Sequence, residues 1–113
     1  MKTKGTPIFL PNGKVVGSVY GDVFVKKVSS SKHFLQRPPA ICFDVFTLES
    51  AKKAGATKVK ITDTENGKQY YATIDFIFQK GFRLERGFGK QIALSLDNWQ
   101  VGSKSIVQQE KLF

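Results

Sequence analysis

The chain has 113 residues, of which 41% are hydrophobic and ten are phenylalanine, and this excludes an intrinsically disordered chain. Its 18 Lys and Arg against 9 Asp and Glu give a formal net charge of +9, which favours a polyanionic partner such as nucleic acid or an acidic protein. Eleven of the 18 basic residues but only three of the nine acidic ones lie in residues 1–60. The positive charge therefore belongs to the first half.

The chain carries no signal for membrane insertion or export. No apolar run approaches the ~18 residues of a membrane span, and the stretch from Ile8 to Leu10 is too short for a signal peptide. Cys42 is the single cysteine, so no intramolecular disulfide forms and a buried, reduced thiol is expected. We predict a cytoplasmic protein without membrane contact.

Two short turns near the N-terminus predict a three-stranded β-meander. Asn12-Gly13 stands between two apolar runs, and such a pair is a strong signal for a two-residue hairpin turn. Gly21-Asp22 separates the next two apolar runs. Both faces of the meander are largely apolar, with Val15, Val19 and Phe24 on one and Phe9, Val16, Tyr20 and Val25 on the other.

The segment after the meander predicts a loop, a strand and a helix. Residues 29–33 are polar, and Arg37-Pro38-Pro39 requires an extended backbone. Residues 41–46 are typical of a buried strand. Thr47 is placed to cap a short helix over residues 48–54, which Gly55 ends.

The next unit is a hairpin around Asn66-Gly67. Residues 57–62 alternate strictly between polar and apolar, and residues 68–74 return. A two-residue turn pairs Val59 with Ile74 and Ile61 with Ala72. Asp75 is then expected to cap one helical turn that ends at Gly81, residues 91–96 form a last strand, and Trp99 falls in a tail without an assigned structure.

The predicted fold class is α+β: an N-terminal three-stranded β-meander followed by a strand, a short helix, a β-hairpin, a short helix and a strand. No repeat, low-complexity segment or linker interrupts the sequence. We expect a single compact domain over residues 1–113, with flexible ends at residues 1–5 and 103–113.

Metal and catalytic sites are weakly represented. One His and one Cys cannot supply the four ligands of a structural zinc site, and Asp63 and Glu65 flank a turn where acidic residues serve turn geometry. We predict no metal and no cofactor. His33 is the one side chain suited to general acid–base chemistry near neutral pH, and an enzyme using it with Asp44 or Glu85 is the weakest hypothesis, because no nucleophile accompanies it.

The glycine-rich segment at residues 86–91 lacks the spacing of a P-loop and of a dinucleotide-binding motif. Two alternatives stay open. It is either a flexible basic loop in which Arg86 and Lys90 meet phosphates and Phe88 stacks on a base, or a tight turn with Phe88 in the core.

The outer face of the central hairpin is the leading candidate site. Lys58, Lys60 and Tyr71 project from one side, and cations beside an aromatic ring are the ingredients of single-stranded nucleic-acid surfaces on β-sheets. The alternative is a solvated face whose lysines keep the strand soluble. The predicted nucleic-acid-binding residues are Lys52, Lys53, Lys58, Lys60, Tyr71, Lys32, His33, Arg37, Arg86, Phe88 and Lys90.

The sequence thus predicts a small basic nucleic-acid-binding module without enzymatic activity. It contacts the phosphate backbone with little sequence specificity, because lysine acts on phosphates as a point charge. The alternative is a protein-interaction or inhibitor module that docks on an acidic partner, or that forms a homo-oligomer through the apolar face of the meander.

Overall fold

The computed structural model describes residues 5–36, 39–86 and 89–103. Ten strands, three α-helices and one 3₁₀ turn lie within these ranges. In chain order they are β1 Thr6–Phe9, β2 Val15–Tyr20, β3 Val23–Val28, α1 Ser30–His33, β4 Phe34–Gln36, β5 Pro39–Asp44, α2 Val45–Lys53, β6 Lys58–Asp63, β7 Lys68–Thr73, α3 Ile74–Lys80, β8 Phe82–Arg86, β9 Gly89–Ser95, the 3₁₀ turn Leu96–Asn98 and β10 Gln100–Ser103. The terminal residues 1–4 and 104–113, for which we expect flexibility, lie outside the described part.

The strands form two sheets. The larger has the order β1-β2-β3-β6-β7-β10 and the smaller the order β4-β5-β9-β8. Strand β3 pairs with β6 in parallel, whereas the other described pairs are antiparallel. A parallel pair needs a crossover, and residues 29–57 supply it through α1, β4, β5 and α2. The α+β class is confirmed, in one mixed-sheet unit with few helices.

The N-terminal meander is present, but a β-bulge changes its faces. Ile8 pairs with Gly17 and Phe9 pairs with Val15, so Val16 has no partner on β1. A bulge re-aims the side chains that follow it. Val16 therefore packs against the core, and Val15 is 52% exposed. The predicted assignment of these two valines to faces is wrong, while the two-residue turn at Gly21-Asp22 is confirmed by the pairing of Tyr20 with Val23.

The β6–β7 hairpin has the predicted faces but a different register. Val59 pairs with Ala72, and Ile61 pairs with Tyr70. The turn spans residues 64–67, and Gly67 donates its N–H to the Asp63 carbonyl at 2.8 Å. The turn contains two residues more than predicted, so each residue of β6 pairs with a residue two positions earlier in the chain than expected. Because side chains alternate with period two, that shift leaves the faces unchanged.

Both larger helices begin earlier than predicted. Helix α2 starts at Val45, so Thr47 is a buried residue of its first turn and not its cap. Its end follows the prediction: Gly55 has φ of 110°, and Ala56 donates to the Ala51 carbonyl at 3.0 Å, as in a Schellman motif. Thr73, not Asp75, caps α3, since its Oγ1 accepts from the Phe76 N–H at 3.1 Å.

Strands β4, β8 and β10 are absent from the predicted architecture. The first two extend the smaller sheet, and β10 adds an edge to the larger one beside β7. The core lies between the sheets, where Phe43 stacks on Trp99 with ring centroids 5.8 Å apart. Trp99 donates its Nε1–H to the Leu94 carbonyl at 3.1 Å, which fixes the last turn to β9. Cys42, predicted to be buried, is of intermediate exposure.

Candidate nucleic-acid interface

The face of the larger sheet that points away from the core, the outer face, is polar and basic, and none of the described residues covers it. Register places Val25 and Lys27 of β3 on the same side as Lys60 and Thr62 of β6. None of its side chains is buried. The outer face carries Tyr20, Val23, Val25, Lys27, Lys58, Lys60, Thr62, Gln69, Tyr71, Thr73 and Gln100.

Tyr71 is the aromatic centre of this face. It pairs with Lys60 across the β6–β7 ladder and with Gln100 of β10 on its other side. Its ring is 37% exposed, and its hydroxyl donates to Gln69 Oε1 at 2.7 Å. The hydrogen bond restrains the ring, and the strand register places Lys60 beside it.

A cleft of about 800 Å³ opens at the end of the outer face where β6 begins. Lys58, Tyr71 and Thr73 line it from the sheet, and Phe76 of α3 and Asn98 of the 3₁₀ turn close it. This volume is in the range of small-ligand sites. The cleft combines an ammonium group, hydroxyl groups and aromatic rings, which is the chemistry that holds a nucleotide.

The lysines of the outer face differ in their partners. Lys58 Nζ lies 3.5 Å from Asp22 Oδ2, and the pair is exposed, so it contributes little to stability and yields easily to a phosphate. Among the described residues, neither Lys27 nor Lys60 lies within 4.0 Å of a carboxylate oxygen. Two of the three cations are therefore available without breaking an ion pair.

Lys52 and Lys53 lie off the outer face. They occupy the last turn of α2, which packs on β1, β2, β5 and β9. Lys52 Nζ reaches Asp75 Oδ1 of α3 at 3.0 Å, between two exposed side chains. These lysines border the end of the sheet where β6 begins. They add positive charge near that end of the sheet, but they are not part of the β6–β7 ladder in which Lys60 pairs with Tyr71.

Lys32 and His33 lie in α1, near the opposite end of the sheet. Val28 pairs with Asp63 at the end of β6, whereas Val23 pairs with Lys58 at its start, and five residue steps span roughly 16 Å. Burial, followed by the charge of Lys26, lowers the pKa of His33 below its ordinary value. His33 is therefore largely neutral at pH 7.

The other predicted residues do not join the outer face within the described chain. Lys90 lies on β9 in the smaller sheet, where it borders a different cavity with Asp44 and Glu49. Arg86 ends β8. Its side chain, and both Arg37 and Phe88, lie outside the described residues, so the two alternatives for the glycine-rich segment remain predictions.

The structure groups two predicted residues, Lys32 and His33, with two cations that the predicted site does not contain, Lys14 and Lys26. Lys14, Lys26 and Lys32 line a cavity of about 450 Å³ with His33 and Asp44. Lys26 shares the inner face of β3 with buried Phe24 and Val28. The alternation of side chains along β3 could have revealed this group, because it places Lys26 and Lys27 on opposite faces of the sheet.

The acidic pair at the β6–β7 turn has the predicted structural role. Asp63 is fully buried, and its Oδ1 accepts from the backbone N–H groups of Glu65 at 2.9 Å and of Ser30 at 3.3 Å. Glu65 accepts from the hydroxyls of Ser29 and Ser30. In the described ranges, no three His, Cys, Asp or Glu side chains gather as metal ligands would.

Within the described residues, no helix is long and apolar enough to cross a membrane. Comparisons of the chain with protein-family models, with curated proteins and with solved structures found no match.

Proposed function

We propose that this protein is a non-enzymatic module that binds single-stranded nucleic acid on the outer face of its larger sheet. The observation that supports this most strongly is the pairing of Lys60 with Tyr71 between Lys27 and Lys58, on a face that no described segment covers. The lysines neutralise backbone phosphates, and the ring of Tyr71 stacks on a base. Weak sequence preference follows, since phosphate contacts carry no sequence information.

A single strand fits this face better than a duplex. Bases stack on an aromatic ring only when they are unpaired, and Tyr71 lies on β7, between β6 and the edge strand β10. The adjoining cleft of about 800 Å³ gives the next base or sugar a place. A duplex would offer its phosphates to the lysines and leave the ring and the cleft unused.

The decisive experiment compares two variants of equal charge. Lys58→Gln with Lys60→Gln removes two cations from the outer face, and Lys68→Gln with Lys80→Gln removes two exposed cations from elsewhere. Fluorescence anisotropy with fluorescein-labelled dT15 and rU15 measures affinity between 50 and 300 mM salt. We expect the first variant to bind at least tenfold more weakly at low salt and to lower the salt slope by about 2. If both double variants lose the same affinity, net charge alone explains the effect and the outer face has no special role.

Tyr71 separates recognition of nucleic acid from attraction to any polyanion. Tyr71→Ala should weaken binding of single strands by about tenfold, as the loss of one stacked base does, and should leave retention on heparin unchanged. Two results would contradict this: Tyr71→Ala lowers heparin retention and oligonucleotide binding together, or it lowers neither. An acidic protein partner would then be the better explanation of the basic face.

A second candidate function is self-association through the meander. Phe9, Val15 and Tyr20 are 50%, 52% and 47% exposed, and β1 is an edge strand of the larger sheet. Exposed apolar side chains beside a free edge favour pairing between chains. Light scattering at 10–200 μM tests it: a dimer that Val15→Lys dissociates supports this function, and a monomer throughout eliminates it.

A further inference from the structure

The cavity between β3, α1 and β5 has an excess of positive charge. It measures about 450 Å³, and Lys14, Lys26 and Lys32 contribute three ammonium groups to its lining against the one carboxylate of Asp44. Its remaining titratable groups are the imidazole of His33 and the thiol of Cys42. These residues come from β3, α1, β5 and the loop between β1 and β2, so the tertiary fold and not a local charge run assembles the cluster.

Lys26 is the cation in this cluster that is most poorly compensated. Its side chain lies on the inner face of the larger sheet, and burial lowers its pKa, an effect that Asp44 opposes and Lys14 reinforces. In the described part of the chain no carboxylate oxygen lies within 4.0 Å of its Nζ. The Phe43 ring lies nearby, with the Lys26 Nζ 5.9 Å from the ring centroid. A partly desolvated cation of this kind is stabilised by any anion that enters beside it.

Asp44 compensates Lys26 only in part, because its charge acts on the ammonium group from beyond 4.0 Å. Its Oδ1 also accepts a hydrogen bond from Gln91 Nε2 of β9 at 3.3 Å. With three ammonium groups, one carboxylate and a neutral imidazole, the lining carries a net charge of two positive units. Val16, Phe34 and Phe43 provide apolar and aromatic wall.

We propose that this cavity binds a phosphate monoester, held by Lys14, Lys26 and Lys32, with His33 as a hydrogen-bond partner. The dianion matches the net charge of the lining, and lysines serve as point charges toward phosphate oxygens. The cavity is larger than phosphate alone needs, so the esterified group, an aromatic one above all, packs against Phe34 and Phe43. This inference is independent of the proposed function, because Lys26 lies on the opposite face of the sheet from Lys27.

Phosphate monoesters reach such a cavity from two sources, a free nucleotide or the 5′ end of a strand. The probes are inorganic phosphate, uridine 5′-monophosphate, and an oligonucleotide with either a 5′-phosphate or a 5′-hydroxyl. Tighter binding of the 5′-phosphorylated oligonucleotide, and loss of that difference in Lys26→Met, identifies a strand end. Binding of uridine monophosphate alone identifies a free nucleotide.

His33 reports directly on this cavity, because it is the only histidine of the chain. Proton NMR follows its two ring resonances during titration with each probe. We expect saturable shifts in the micromolar to low millimolar range and an increase in the pKa of His33 when the cavity is occupied. Resonances that do not move with phosphate or uridine monophosphate at 10 mM would overturn the proposal.

A lysine outside both proposed sites supplies the matched variant. Lys26→Met should weaken uridine monophosphate binding at least tenfold, and Lys80→Met, at the exposed end of α3, should leave it unchanged. Equal effects of both variants contradict the proposal. Should Lys26→Met fail to fold, as judged by circular dichroism, exposed Lys14→Gln takes its place with the same expectation. If the protein binds uridine monophosphate but no 5′-hydroxyl strand, this site stands and the proposed function is wrong. If it binds the 5′-hydroxyl strand but not uridine monophosphate, the proposed function stands and this site is wrong.

Discussion

Lys26 and Lys27 are consecutive residues of β3, and their side chains lie on opposite faces of the six-stranded sheet. Lys26 shares the inner side with Ile61, its fully buried neighbour on β6, whereas Lys27 lies beside half-buried Thr62 on the outer side. One lysine is partly desolvated and the other is hydrated. Two residues of identical chemistry therefore make different contributions to stability.

Replacing each lysine with methionine measures that difference. Lys26→Met should raise the free energy of unfolding by about 1 kcal/mol, because a partly buried, poorly paired cation is exchanged for an apolar chain of similar length. Lys27→Met should change it by less than about 0.5 kcal/mol. Urea unfolding followed by Trp99 fluorescence gives both values. A loss of stability in Lys26→Met would mean that its ammonium group has a strong partner in the native state.

The same desolvation gives the Lys26 effect a pH dependence. The native pKa of Lys26 is lowered from 10.5, chiefly by burial, so its cationic form destabilises the native state at neutral pH. This cost disappears as pH rises from the native pKa through 10.5, since the lysine is then neutral in both states. The stability advantage of Lys26→Met should therefore shrink as pH rises toward 10.5, and a constant difference would contradict it.

Glu65 should make the protein acid-sensitive. Hydrogen bonds from the hydroxyls of Ser29 and Ser30 lower its pKa from 4.5 to about 2. A depressed native pKa means that the stabilisation is complete above 4.5 and is lost as pH falls from 4.5 toward 2. Melting temperatures at pH 7, 4 and 2.5 should converge between the wild type and Glu65→Gln as pH falls. Parallel curves would show that the serine contacts do not persist in solution.

Gly17 is expected to tolerate no side chain. A Cβ there would lie 2.6 Å from Phe24 ring atoms and 2.7 Å from the Val25 carbonyl oxygen, and Phe24 is fully buried. Gly17→Ala should cost about 2 kcal/mol or more, since the core ring must move. Gly13→Ala is the control, with nothing within 4 Å and φ of 89°, and should cost only about 1 kcal/mol of backbone strain. Chemical unfolding of both variants tests the ranking.

Thr47 offers a stabilising substitution. Its side chain is fully buried in α2, and its Oγ1 has no hydrogen-bond partner among the described residues. Valine has the same shape without the hydroxyl, so Thr47→Val should raise the unfolding free energy by about 1 kcal/mol. Thr62→Val, on the half-buried outer face, is the control and should be nearly neutral. A destabilised Thr47→Val variant would reveal a polar contact for the hydroxyl.

Local sequence signals predicted the parts of the fold that local chemistry determines. Glycine turns mark the hairpins, and alternation along β6 assigned Lys58 and Lys60 to one face. Their neighbour Tyr71 follows because register errors of two residues preserve faces. The lysines of α2 were grouped with this face only because they are close in sequence, and the structure separates them from it.

Nonlocal pairing was beyond those signals. No pattern within β3 or β6 indicates that the two strands pair in parallel. Strand β4 is too short for its sequence to show the alternation of a strand. The bulge at Val16 depends on the Phe24 ring passing over Gly17. The charged cavity around Lys26 brings together β3, α1, β5 and the loop between β1 and β2, and only the tertiary structure places them side by side.

The parallel contact between β3 and β6 also governs the order in which the molecule can assemble. The meander and the β6–β7 hairpin close over short turns, whereas joining them requires residues 29–57 to be closed into a loop. Closing a long segment costs more chain entropy and slows folding. The contact that brings Lys27 and Lys60 onto one face therefore forms at a higher entropic cost than either hairpin. A strand of nucleic acid bridging them would act as a clamp across this seam and would slow unfolding without touching the core.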